Sequence, residues 1–155
     1  MTWVGDWAWG VPLIVTNVVM HVVGLNLIGA FVLGDFAIML RRRTSSMDFI
    51  MVVGVTAVLT ILLHTLESAT WGAAYFLLGA LADTKSAMLY SLGAMTTYGH
   101  TTLRLSPQWQ LLGAMEALEG MLLFGLTTAF LFSIFSALSP ARREQIQRWP
   151  SRRAR

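Results

Sequence analysis

Between Trp7 and Gly34 the chain carries no Asp, Glu, Lys or Arg. A bilayer core takes about 20 helical residues, and this run is longer. Two further runs share the property in weaker form. One starts at Phe49 and reaches about Leu81, broken by His64 and Glu67; the other begins near Gln108 and ends before Pro140, with Glu116 and Glu119 near its start. The β-branched residues Val52, Val53, Val55, Thr56 and Val58 would favour a strand in water. In lipid, backbone groups must pair within their own segment, so helix is expected. Only 12% of the 155 residues are charged and 55% are hydrophobic, against roughly 25% charged in soluble domains. The expected class is an all-α membrane protein with three transmembrane helices.

Nine of the eleven basic residues fall in two clusters, Arg41, Arg42 and Arg43, then Arg142, Arg143, Arg148, Arg152, Arg153 and Arg155. Despite the overall positive charge, these positions read as topology signals and contacts for anionic lipid, not as a nucleic-acid surface. Both clusters are expected on the cytoplasmic side, with the N-terminus outside. Trp3, Trp7 and Trp9 suit the membrane interface, and Asp6 without a basic leader reads as an uncleaved anchor. With no cysteine, disulfides and thiolate metal sites are excluded. Three segments follow: 1–46, the N-terminal span with its basic loop; 47–138, a central module; and 139–155, a basic cytoplasmic tail.

Ser86 to Leu103 also lacks Asp, Glu, Lys and Arg. Counting it as a fourth crossing would separate the two arginine clusters by an odd number of spans. It is therefore expected to enter the membrane and return on the same side. Its first half, with Ala87, Met88, Leu89 and Leu92, suits a short helix. Its second half, Met95-Thr96-Thr97-Tyr98-Gly99-His100-Thr101-Thr102, does not. Non-helical backbone at membrane depth is tolerated only inside protein or beside a water-filled cavity, the physical form of an ion filter.

These pieces resemble the two-span pore module of bacterial potassium channels, in a small version with an extra N-terminal helix. The resemblance covers roughly residues 64–132. It is carried by His64-Thr65-Leu66-Glu67 with Trp71, by Tyr75 to Leu81, by Leu89-Tyr90-Ser91-Leu92 and by Thr96-Thr97. Trp109 to Ala117 and Gly120 to Phe132 complete it. It implies a homotetramer whose re-entrant loops converge on one axis and pass potassium or another monovalent cation. The implied filter is Thr96, Thr97, Tyr98, Gly99, His100 and Thr101, with the ion at Thr97, Tyr98, Gly99 and His100. The filter departs from the family pattern Thr-Thr-(Val/Leu/Ile)-Gly-Tyr-Gly-Asp. Aligned without gaps from Trp109, Tyr98 replaces the aliphatic residue, His100 the tyrosine, Thr101 the second glycine and Thr102 the aspartate. A gapped alignment instead matches Tyr98-Gly99-His100 to Tyr-Gly-Asp.

Five residues are expected to support the filter or line a cavity. His64, Glu67 and Trp71 share one helical face and read as a structural set holding the second span against the re-entrant helix. Glu116 matches a family position behind the filter, and Glu119 is expected to face the cavity. Gly120 and Gly125 are candidate hinges or close-packing positions. Asn17, His21 and Asn26 can bond to neighbouring helices. His21 with His64 also allows a minor bis-histidine haem reading. No nucleophile–base set or nucleotide fingerprint is present, so no enzymatic activity and no resident cofactor are expected. The leading function is a cation pore. The alternatives are a non-conducting, channel-like scaffold or subunit and a haem- or metal-binding helical membrane protein. The expected location is the bacterial inner membrane.

Overall fold

The computed structural model describes residues 4–36, 46–99 and 102–148, and shows no strand among them. Helix α1 spans Val4–Phe31 and continues as a π-helical segment, Val32–Phe36. Helix α2 spans Ser46–Leu77, the short helix α3 spans Thr84–Met95, and a 3-10 turn at Pro107–Trp109 leads into α4, Gln110–Arg148. Three of these helices are long and apolar enough to cross a membrane: Val4–Gly34, Phe49–Leu77 and Pro107–Ala137. Arg41 to Arg43 and Arg152 to Arg155 lie outside the described residues.

One boundary differs from the sequence expectation. The second apolar run stops being helical at Leu77, four residues before Leu81. Gly79 is the cause: it sits left-handed at φ 64°, where a Cβ would be strained. Around it the amide of Ala80 donates to the Tyr75 carbonyl at 2.9 Å and that of Gly79 to the Phe76 carbonyl at 3.1 Å, the paired bonds that close a helix. The last apolar span, Pro107–Ala137, ends before Pro140 as expected, and the helix itself continues into the basic tail as far as Arg148.

The chain forms two compact units. The first comprises residues 1–24 and 62–126. Trp71, Tyr75, Ala87, Met95, Leu112 and Leu123 form its core. Helix α3 starts where Asp83 caps it, its carboxylate accepting from the Ser86 amide at 2.9 Å. Glycines bring the backbones of α2 and α4 close to it. A Cβ on Gly72 would lie 3.3 Å from Cα of Met88, and one on Gly120 would overlap the Met95 carbonyl. The return from α3 is tied down by the Ser106 amide, which donates to the Ala80 carbonyl at 3.2 Å.

The second unit comprises residues 25–61 and 127–155. Val32, Val52 and Ile134 are buried in it, with Ile28, Leu59 and Phe130 packed around them. Thr56 returns its hydroxyl to the Val52 carbonyl at 2.7 Å, so the β-branched run sits in a helix without an exposed hydroxyl donor.

Candidate functional site

Within the apolar stretches of the first unit's helices, the carboxylates, His21 and Asn17 are turned inward. Glu67, Glu116, His21 and Asn17 have no exposed surface and Glu119 only 2%. Val19, Leu27, Ile61, Leu118 and Met121 are more than half exposed. This inverts the distribution of a water-soluble protein.

Two connected sets of hydrogen bonds result. In the first, Glu116 of α4 is the hub. Tyr75 of α2 donates to its Oε2 at 2.6 Å, and Ser91 of α3 donates to its Oε1. The Ser91 hydroxyl also lies 2.7 Å from the Ser68 carbonyl, so one carboxylate fastens the short helix to both long ones. Ser68 adds a contact to the Met95 sulfur at 3.2 Å, and Tyr90 packs edge-on against Tyr75. Glu119, one turn further along α4, accepts from the indole of Trp71 at 2.6 Å.

In the second set, Glu67 is the hub. Nδ1 of His21 lies 2.8 Å from its Oε1 and Nδ1 of His64 lies 3.0 Å from its Oε2. A carboxylate only accepts, so Nδ1 of His21 carries the proton of its hydrogen bond when Glu67 is ionised; the His64 contact is a close approach of the ring to the second oxygen. The Asn17 amide reaches the Glu67 carbonyl at 3.4 Å, and Thr70 donates to the Asn17 side-chain oxygen at 2.6 Å. Phe124 stacks on the His64 ring, with centroids 4.5 Å apart.

The expected support residues thus come together, with altered partners. Glu67 pairs with His21 of α1, and the His64 ring stacks on Phe124 of α4. Ser68 makes the contact with α3. Glu119 does not face an open cavity, because it is turned onto Trp71. The His21 and His64 rings are 5.2 Å apart and converge on one carboxylate. Of the hinge candidates, Gly120 is a close-packing position, whereas a Cβ on Gly125 would meet nothing within 4 Å. Sequence reading missed Ser68 and Ser91. The signal was available in position: Ser68 and Tyr75 are seven apart, so they share a face of α2.

Helix α3 ends at the expected filter. Thr96 is its C-cap, and Thr97 follows at φ 56°, left-handed. The Thr97 amide donates to the Ala94 carbonyl at 2.9 Å and the Gly99 amide to the Gly93 carbonyl at 3.0 Å. Gly99 is also left-handed, at φ 70°, and Tyr98 between them is 85% exposed. The equivalent position at the end of α2 is glycine; here it is a β-branched residue, which adopts this conformation at a cost of about 1–2 kcal/mol. His100 and Thr101 lie outside the described residues. A cleft of about 520 Å³ opens between the end of α3 and the start of α4, lined by Tyr90, Thr97, Gly99, Arg104 and Gln110 among others. Comparison with protein-family models, curated proteins and solved structures finds no match.

Proposed function

We propose that the chain is one subunit of a homotetrameric pore for monovalent cations, potassium first among them, in the bacterial inner membrane. Helices α2, α3 and α4 form the pore module, and α1 packs outside it. The arginine clusters face the cytoplasm and anionic lipid. The observation that carries this reading is Thr97. A threonine held left-handed at a helix end is strain, and strain of this kind gathers at working sites. Thr97 and Gly99 are left-handed while Tyr98 is not, and backbone that changes hand at each residue can turn successive carbonyls to one side. Carbonyls so arranged replace the water of a bare cation. The C-terminal end of α3, partly negative, points into the same loop. In this reading the exposed Tyr98 and the cleft beside Thr97 are covered by other copies of the chain, and the ion passes Thr97, Tyr98, Gly99 and His100.

The deciding experiment is single-channel recording from purified protein in planar bilayers, with reversal potentials in potassium against sodium. Cation-selective openings are expected, and altered selectivity in Thr97→Ala. Well-folded tetramers without ion flux would sink the conducting reading.

One observation favours a second reading, a channel-like subunit that does not conduct. The Gly99 amide bonds back to Gly93, folding residues 97–99 onto the helix end. Silent tetramers in the same recording would select it.

A further inference from the structure

The first unit buries three carboxylates, Glu67, Glu116 and Glu119. Its cations among the described residues, Lys85 and Arg104, are exposed. A buried carboxylate group of this kind, in helices fit for a membrane, calls for positive charge within the protein. The pore reading supplies none at this depth, since its ions sit at residues 97–100.

We propose that His21, His64 and Glu67 bind a divalent first-row transition-metal ion, with zinc as the reference ion. Ligand atoms of the three residues lie within 4.8 Å of one another. Zinc holds nitrogen and oxygen ligands at about 2.0–2.2 Å, which sets them roughly 3–3.5 Å apart around the ion. Nδ1 of His21 and Nδ1 of His64 lie 2.8 and 3.0 Å from the two different oxygens of Glu67, slightly shorter than that spacing, so an ion enters with small side-chain rotations. A neutral imidazole that binds through Nδ1 carries its one proton on Nε2; for His21 this is a shift of the proton from Nδ1 to Nε2, and no net proton is released. Two imidazoles and a carboxylate suit zinc, cobalt or nickel better than calcium or magnesium, which favour oxygen alone.

The surroundings fit a held ion. His64 and Glu67 come from one turn of α2 and His21 from α1, so the ion joins two helices. Asn17 and Thr70 fix the backbone at Glu67, and Phe124 fixes the His64 ring. His64 is 12% exposed while His21 and Glu67 are fully buried, which places the route of entry on the His64 side. Three protein ligands leave a fourth position for water. With Glu67 bound, the ion retains one positive charge.

The test uses tag-free, full-length protein in detergent, stripped with a chelator and reloaded with zinc or cobalt. Metal content by mass spectrometry is expected to reach one ion per chain. Cobalt should give the intense visible absorption of a four-coordinate site. Zinc should raise the melting temperature of the wild type, and His64→Ala should lose the bound ion, the absorption and the shift together. Tyr98→Ala, far from the cluster in sequence and exposed, should keep all three. Binding well below one equivalent in the wild type would overturn the proposal and leave a metal-free His–Glu–His network. So would retention of zinc by His64→Ala. Neither readout depends on ion conduction, so failure here and failure of the pore reading are separable.

Discussion

Tyr75 of α2 donates its phenolic proton to Oε2 of Glu116 on α4 across 2.6 Å, with both side chains fully buried. The other oxygen of the same carboxylate takes the Ser91 hydroxyl of α3. Glu116→Ala would leave the buried Tyr75 hydroxyl without its acceptor, while Ser91 keeps the Ser68 carbonyl. Such an orphan costs about 1–3 kcal/mol, so with the lost packing a loss of roughly 3 kcal/mol is expected, against about 1 kcal/mol for Tyr75→Phe. Unfolding in mixed micelles measures both. Equal losses would mean that Glu116 does not tie the three helices together.

Gly120 and Gly125 should separate in the same assay. A methyl at Gly120 overlaps the Met95 carbonyl, a backbone atom that cannot swing aside. Gly120→Ala is expected to destabilise by about 1–3 kcal/mol, as overpacking does. Gly125→Ala meets open space and should be neutral or stabilising by up to about 1 kcal/mol. Similar effects at both positions would favour a hinge at each over packing at one.

Thr97→Gly should raise stability. Glycine adopts the left-handed φ of 56° without a Cβ clash, for a gain of about 1 kcal/mol. If the strain serves conduction, the same variant changes selectivity in bilayer recordings while melting higher. A lower melting temperature would show that the threonine side chain contributes more than its backbone costs.

The start of α3 should depend on pH. The Asp83 carboxylate takes hydrogen bonds from Ser86, first its side chain and then its amide, and these hold it below the ordinary aspartate value of 3.8. A carboxyl group with a lowered folded-state pKa contributes stability that is full above 3.8 and is lost as the pH falls through the lower, folded value. Fraying of the first turn of α3 is therefore expected only in acid. Asp83→Asn should remove this dependence, because the amide oxygen still caps but does not titrate. Amide resonances of Ser86 and Ala87 followed from pH 6 downward would read it, and a transition persisting in Asp83→Asn would assign it elsewhere.

Legibility in the sequence varied by element. The three long helices were readable because a bilayer needs a long stretch with few charges, and length and charge are linear properties. The short helix α3 was readable because Ala87, Met88, Leu89 and Leu92 suit a helix and the threonine-rich run after them does not. The end of α2 was misjudged by following hydropathy past Gly79, although the glycine itself was the better signal.

The sequence by itself determined that Glu67, Glu116, Glu119 and His64 must face protein, since lipid offers them no partner. It could not pair them. Which imidazole meets which carboxylate depends on how α1, α2 and α4 rotate about their axes, and that rotation is set by packing between residues distant in the chain. Only the tertiary structure brought His21 to Glu67 across 46 positions and Tyr75 to Glu116 across 41. It also showed left-handed backbone at Thr97, just past the C-cap Thr96 of α3, where a threonine takes the turn that a glycine usually takes.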